Sequence, residues 1–222
     1  CSELKMTDGI GYRDKTITGI GTFCHEYSHT LGLADLYDTD YEGSGGESAG
    51  VWISTSLMDG GNHNNFGNTP PYYNAIEREM LGICEPIRIT SDGSYSLGPL
   101  DKTNTVYRID TDHEDEYYLL ECRSGKGWDA YIGGKGMLVY HIDRSDRSSG
   151  YSENYGRVLK AYERWEAANE VNCRPDHQCA DLLEADGRND IFSHDIPADI
   201  SGVFFPQYGA TAIIPDSTPG FR

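Results

Sequence analysis

Apolar residues recur at three- and four-residue intervals near the start of the chain, which is the spacing of an amphipathic helix. The helix is expected to run to about Leu31, with Thr16 or Thr18 as its N-terminal cap. Its predicted buried stripe consists of Ile20, Phe23, Tyr27 and Leu31.

A second helix is predicted over residues 69–81, TPPYYNAIEREML, where the apolar residues again follow helical spacing. Thr69 is its expected cap, the two prolines suit its first turn, and Gly82 is expected to end it. The residues predicted to face inward are Tyr73, Ile76 and Met80.

After Ile83 the pattern changes to short runs in which apolar and polar residues alternate, as in half-buried strands. The predicted strands are IRIT, SYSLG, TVYRID, EYYLLEC, GMLVYHI and RVLKAY. Their spacing favours an antiparallel β-sandwich-like region. The chain is therefore predicted to be α+β, with a helical domain at 1–85 and a β-rich domain at 86–222.

The first predicted helix carries the motif H-E-x-x-H-x-x-G-x-x-D, formed by His25, Glu26, His29, Gly32 and Asp35. Residues one turn apart share a helix face, so both imidazoles can bind one Zn²⁺. Glycine tolerates the left-handed conformation that ends a helix, and the returning chain can then supply a carboxylate as the third ligand. Glu26 is placed to act as general base on a metal-bound water. Other acidic residues could replace Asp35 as third ligand: Asp38, Asp40, Glu42, Glu47 or Glu77.

Met58 lies in the turn-forming segment SLMDGG downstream of Asp35. A methionine in a tight turn after such a helix is typical of the Met-turn of metzincin peptidases. Met58 as ordinary core filler is the alternative.

Residues 20–83 resemble the catalytic domain of the immune inhibitor A-type secreted bacterial metallopeptidases, a metzincin-like family. The similar segments are GTFCHEYSHTLGLADLYDTDY, SLMDGG and PPYYNAIEREMLG, with Ala34 where the family usually has proline. The resemblance implies a metzincin-like lower catalytic subdomain and a secreted zinc endopeptidase that acts on polypeptides. It also implies an upper subdomain before the zinc helix. Too few residues precede His25 to form one, so we expect weak or no activity from this chain alone.

The expected mechanism is hydrolysis of a peptide bond by metal-bound water, with Glu26 carrying the proton to the leaving amine. Tyr72 or Tyr73 is a candidate donor to the oxyanion. Two alternatives stay open: a gluzincin-type peptidase whose third ligand is Glu77, and a non-catalytic binding or adhesion module with a vestigial zinc site.

Acidic residues outnumber basic residues 36 to 18, which gives a formal net charge of −18. Such a surface argues against nucleic acid or anionic lipid as a partner, and the sequence contains no apolar run long enough to span a membrane. An acidic protein suits a secreted, cell-surface or periplasmic location and leaves carboxylates for structural Ca²⁺. The candidate calcium ligands are Asp38, Asp40, Glu42, Asp186 and Asp190.

The six cysteines include no C-x-x-C pair, which argues against a zinc knuckle. Cys173 and Cys179 could close a small disulfide, with buried thiols as the alternative. His141 and Asp143 stand at the end of a predicted strand. A hydrogen-bonded polar pair at the sheet rim is favoured there over a metal or substrate role.

Overall fold

The computed structural model of the chain describes residues 4–6, 15–17, 19–41, 43, 45–46, 48, 50–51, 54–148, 157–185 and 200–206. In chain order, its helices and strands are β1 (Leu4–Met6), β2 (Lys15–Ile17), α1 (Gly21–Thr30), α2 (Ala75–Met80), β3 (Ile87–Arg88), β4 (Tyr107–Asp110), β5 (Glu116–Arg123), β6 (Gly136–Asp143), β7 (Arg147–Ser148), β8 (Val158–Leu159) and β9 (Ala180–Leu182). This mixture confirms the α+β class. Within the described part of the chain, no helix combines the length and apolar character needed to cross a membrane.

Five of the described strands form one mixed sheet in the order β3-β4-β5-β6-β9. β3 and β4 are parallel, and the other neighbours are antiparallel. The prediction of an antiparallel sandwich is wrong for the described residues, and SYSLG forms no strand there. Alternation indicates that a strand has two unlike faces, but it does not reveal how many sheets the strands build.

The two faces of this sheet contact different hydrophobic clusters. Tyr117 and Leu119 of β5 belong to the main core, whereas Tyr118 packs in a smaller cluster with Leu120 beside it. This is the alternation expected for the strand. Register then places Glu116 of β5 and Asp143 of β6 on the same face as Tyr118, at the end of the sheet.

The hydrophobic core is continuous across the predicted boundary between the two domains. It contains Leu36 and Met58 from the segment after α1, Ile76 from α2, and Leu119 and Tyr140 from the sheet. Helix α2 and the segment after α1 therefore pack against one face of the sheet. The predicted division into two domains at 85/86 stays a prediction. In the structure, residues on both sides of it contribute to one core.

Helix α1 begins without the predicted threonine cap. Its N-cap residue is Ile20, whose side chain makes no capping hydrogen bond. The backbone N–H of Gly21 instead donates to the carbonyl of Gly67 at 2.8 Å. A Cβ at Gly21 would lie 1.9 Å from the Asn62 carbonyl oxygen, so only glycine permits this close approach. At the other end, Gly32 has a φ of +99° and reverses the chain as predicted.

The apolar stripe predicted to be buried on α1 instead faces outward. Ile20, Phe23, Tyr27 and Leu31 are 48%, 67%, 54% and 48% exposed. The buried face consists of Gly21, His25 and Ser28. Helical spacing identifies the residues that share a face, but it does not decide which face the rest of the protein covers.

Helix α2 is shorter than predicted because its cap is Asn74 rather than Thr69. The Asn74 side chain accepts from the Glu77 N–H, and the Glu77 carboxylate accepts from the Asn74 N–H, which makes a capping box. Pro70 and Pro71 precede the helix and belong to no regular element. Ile76 is fully buried, and Tyr73 and Met80 pack against the core as predicted.

Candidate metal centre

Helix α1 and the turn that follows it bring His25, His29 and Asp35 together. The two imidazole rings are perpendicular, with centroids 4.9 Å apart. Asp35 Oδ1 lies 3.1 Å from His25 Nε2 and 3.4 Å from His29 Nε2. We call these three residues the helix cluster. One helical turn sets the spacing of the histidines, and the reversal at Gly32 brings the carboxylate back to them.

Both histidines of the helix cluster are oriented by backbone carbonyl groups. His25 Nδ1 lies 2.8 Å from the Leu57 oxygen, and His29 Nδ1 lies 2.9 Å from the Leu33 oxygen. Because a carbonyl oxygen only accepts, each Nδ1 carries a proton, and in the neutral ring Nε2 keeps its lone pair. This is the arrangement that directs Nε2 towards a metal ion.

Asp35 also presents an acceptor to the same point. Its Oδ1 is buried and has no hydrogen-bond partner among the described residues unless an imidazole takes up a second proton. Two nitrogen lone pairs and one carboxylate oxygen therefore meet without a proton between them. A cation satisfies all three, and this set of N and O donors is one that Zn²⁺ binds.

Without an ion, a proton can occupy the helix cluster instead. Burial opposes the charged form of His25, but the hydrogen bond to Asp35 and its negative charge outweigh this and raise the pKa of His25. Burial would raise the pKa of Asp35, but hydrogen bonds from His25 and Asn169 outweigh it and lower that pKa. Metal binding is therefore expected to compete with protonation of His25.

Asn169 fixes the orientation of Asp35 and was not identified from the sequence. Its side-chain Nδ2 donates to Asp35 Oδ2 at 2.7 Å, and its Oδ1 accepts from the Asp35 backbone N–H at 2.7 Å. The Asn169 backbone has a φ of +55° and its carbonyl accepts from Thr39 Oγ1. No local motif signals this contact, because it joins positions that are 134 residues apart.

The segment around Met58 lies beneath the chain that leaves α1. Met58 is fully buried, and its carbonyl accepts from the Leu36 N–H at 2.8 Å. The preceding residue, Leu57, holds His25 through its carbonyl. This segment therefore supports the helix cluster through its backbone. Its assignment as a Met-turn stays a prediction.

Asp59, in the same turn, is a buried carboxylate outside the helix cluster. Its oxygens accept from the N–H groups of Gly60 and Val51. Burial raises the pKa of Asp59 to about 7, and the nearby charges of Glu77 and Asp35 act in the same direction.

Glu26 follows His25 in α1 and is exposed, so its carboxylate is open to solvent. Tyr73 is partly buried, and its hydroxyl oxygen lies 2.6 Å from Ser28 Oγ. Beside α1 is an apolar cavity of about 240 Å³, lined by Ile20, Cys24, Leu57, Pro70, Pro71, Tyr72, Tyr73 and Trp128. The roles of Glu26, Tyr72 and Tyr73 in catalysis stay predictions.

Glu77, the alternative third ligand, is directed elsewhere. Its side chain is fully buried and accepts hydrogen bonds from Ser56 Oγ, the Met58 N–H and the Asn74 N–H. The metal-binding groups of the described chain do not include it. The structure therefore brings Asp35, and not Glu77, to the two imidazoles.

The predicted calcium ligands are only partly described. Asp38 accepts from the N–H groups of Asp40 and Ser48, and burial with the nearby Asp40 raises its pKa to about 7. Asp38 and Asp40 approach Cys173, and a thiol is a poor calcium ligand. The other predicted ligands, Glu42, Asp186 and Asp190, lie outside the described residues, as does Glu47.

The predicted disulfide is absent, because Cys173 is a buried thiol whose Sγ lies 3.1 Å from Thr39 Oγ1. Burial raises the pKa of Cys173 to about 12, so the thiol stays protonated. The predicted pairing of His141 with Asp143 also differs in the structure. His141 Nε2 lies 3.3 Å from Glu116 Oε2, and Asp143 Oδ2 lies 2.7 Å from His177 Nε2.

Comparison with known families gives one match, to a family model described as immune inhibitor A peptidase M6, catalytic domain, over residues 9–82. The matched range contains the helix cluster and the Met58 turn, and it confirms the resemblance seen in the motifs. No curated protein and no solved structure gives a significant match. A peptidase is the class of function that these findings support.

Proposed function

Because residues 9–82 match the catalytic domain of the immune inhibitor A peptidases, we propose that the protein is a zinc-dependent endopeptidase. His25, His29 and Asp35 would hold the ion. The observation that carries the proposal is the convergence of two imidazole Nε2 atoms and one carboxylate oxygen on one point, with both Nδ1 atoms engaged by carbonyl groups. A bound ion would polarise and acidify a water molecule and would act as a Lewis acid towards the peptide carbonyl.

Glu26 acts as the general base in this proposal. It is exposed next to a buried ligand, so its carboxylate can reach water on the open side of the helix cluster. It accepts the proton of the attacking water and delivers it to the leaving nitrogen, since an amine leaves only when it is protonated. Polypeptides are the proposed substrates, and secretion stays a prediction.

Asp35 is a proposed ligand and Asn169 orients it, and neither residue transfers a proton in the proposed reaction. The two hydrogen bonds between them fix the carboxylate so that Oδ1 faces the imidazoles. Asp35 also brings a negative charge that a third histidine would lack. We therefore expect the bound water to be less acidic than it would be beside three imidazoles.

The test compares Glu26→Gln with Glu85→Gln, which alters an exposed glutamate after α2. Cleavage of unfolded casein and the zinc content of the purified protein are measured together. Glu26→Gln is expected to lower cleavage by about 10²–10⁴-fold while zinc content stays the same, because the base is not a ligand. Glu85→Gln should change neither quantity.

A chain that cleaves casein equally well after Glu26→Gln would refute the assigned base. Asp35→Ala tests the ligand set in the same way, and it is expected to lower zinc affinity by more than the ~10–100-fold typical of residues that only orient a ligand. An unchanged number and affinity of bound zinc ions in Asp35→Ala would refute the proposed site, even if the chain alone has no measurable activity.

A further inference from the structure

Two carboxylates stand directly opposite each other at the end of the central sheet. Glu116 begins β5, Asp143 ends β6, and the register pairs them. Both project from the same face, so their side chains are close. Like charges directly opposite each other across an antiparallel pair are destabilising, and a cation between them would reverse this effect.

Two imidazoles approach the same pair of carboxylates. His177, from the turn before β9, places Nε2 at 2.7 Å from Asp143 Oδ2. His141, two residues before Asp143 and on the same face, places Nε2 at 3.3 Å from Glu116 Oε2. The two rings are nearly perpendicular, with centroids 6.0 Å apart.

The group is mostly buried and already oriented. The Asp143 side chain is fully buried, those of Glu116 and His141 are each 12% exposed, and that of His177 is 31% exposed. Asp143 Oδ1 accepts from the Ser145 N–H at 2.6 Å, which turns Oδ2 towards His177. One ligand atom each from Glu116, Asp143 and His177 lie within 4.8 Å of one another. His141 Nε2 is not one of these mutually close atoms, so the ring would have to turn from Glu116 to join an ion that the other three hold.

We propose that Glu116, Asp143 and His177, with His141 as fourth ligand, form a second metal site for a first-row divalent ion such as Zn²⁺. We call these four residues the sheet cluster. Two imidazole nitrogens and two carboxylate oxygens suit Zn²⁺, whereas Ca²⁺ prefers a shell of oxygens alone. Four protein ligands fill a tetrahedral ion, so this ion stabilises structure rather than activating water.

The ion would also fix the segment from Asn169 to His177, which contacts the helix cluster. That segment contains His177, together with Asn172, whose Nδ2 donates to the Leu36 carbonyl at 2.7 Å, and Asn169, which holds Asp35. An ion on His177 ties this segment to the sheet. Only this consequence rests on the proposed function; the sheet cluster itself does not.

The experiment counts zinc ions per chain by titrating the chelator-treated full chain with Zn²⁺ against a competing indicator. Two ions are expected for the unaltered chain, one for His177→Ala and one for His25→Ala. His63→Ala is the matched control, because it removes an exposed histidine outside both clusters and should leave two ions. Co²⁺ in place of Zn²⁺ reports coordination by its visible absorption.

The single variants distinguish this proposal from the proposed function. One ion that His25→Ala removes and His177→Ala leaves in place would overturn the second site alone. One ion that His177→Ala removes and His25→Ala retains would support it and refute the catalytic zinc. Glu116→Gln keeps the side-chain shape, so it tests the site even if His177→Ala disturbs folding; it should lower the second affinity by at least about tenfold. Stoichiometric Ca²⁺ binding in competition with Zn²⁺ would overturn the assigned ion class.

Discussion

The helix cluster and the sheet cluster use the same kinds of donor but differ in how the chain assembles them. In the helix cluster, both histidines lie on α1, and the carboxylate of Asp35 follows the chain reversal at Gly32. In the sheet cluster, the donors come from β5, β6 and the turn before β9. The first depends on local backbone geometry, and the second depends on strand register. A slip of one residue in either strand would move that strand's carboxylate to the other face and separate the pair.

The two clusters also share one support. The segment from Asn169 to His177 holds Asp35 at one end and Asp143 at the other. The helix cluster is therefore not wholly local, because its third ligand is fixed by a distant residue.

The largest expected effect is on the pH dependence of folding in chelator-treated protein. Burial raises the pKa of Asp59, near the helix cluster, to about 7, and that of Asp181, opposite His141 in β9, to about 6. A raised folded pKa means that the stability contributed by each group is full below its unfolded pKa of about 4 and is lost as pH rises to the folded value.

Relative to Asp59→Asn, the free energy of unfolding of the unaltered chain should fall by up to about 1.4 kcal/mol per unit between about pH 4 and 7. Relative to Asp181→Asn, the fall should stop near pH 6. Urea denaturation at each pH measures both differences. A difference that stays constant from pH 4 to 7 for Asp59→Asn would show that its pKa is not raised.

The next effect is the loss of zinc affinity in Asn169→Gly. Glycine tolerates the left-handed backbone of this position and removes only the amide that orients Asp35. Zinc affinity at the helix cluster should fall by about 10–100-fold in a competition titration. Asn65→Gly is the control, because Asn65 has a φ of +49° and lies outside both clusters. An equal loss of affinity in both variants would indicate a general backbone effect.

The smallest effect is expected on the outer face of α1. Phe23 is 67% exposed, and its ring stacks on that of Tyr27. Phe23→Ser should therefore change the free energy of unfolding by no more than about 0.5 kcal/mol. Ile76→Ala, in the fully buried face of α2, should lower the free energy of unfolding by about 2–5 kcal/mol. Thermal melts of the two variants measure both changes. A large loss from Phe23→Ser would mean that this face is covered in the protein.

Much of the helix cluster could be predicted from the sequence because its geometry is local. His25, His29 and the bend at Gly32 follow from helical spacing and glycine chemistry alone. The α+β class and the alternation in β5 follow from the hydrophobic period. The sequence also contains the signal for the true cap of α2, because Asn74 followed by Glu77 is a capping-box pair. The two prolines after Thr69 favour an earlier start, and this is why the predicted helix is too long.

The rest depends on contacts between positions that are far apart in the chain. The outward direction of Phe23 and Tyr27 depends on what covers the other face of α1, and no periodicity records that. Asn169 belongs to no recognisable motif, and its role depends on its hydrogen bonds with Asp35. The closeness of His141 and Asp143 in sequence suggests one polar pair, yet His141 lies against Glu116 of β5 and Asp143 lies against His177 before β9.

The distance in sequence between Asp35 and Asn169 has a consequence for synthesis. Ribosomes make chains from the N-terminus at about 5–20 residues per second, and the two positions are 134 residues apart. A nascent chain thus carries both histidines for roughly 7–27 s before the amide that holds the carboxylate exists. We expect such a chain to bind zinc weakly until translation has passed residue 169, which ribosome-stalled chains ending on either side of that residue would reveal. In the proposed zinc endopeptidase, this order of synthesis would delay binding of the catalytic ion until most of the chain has been made.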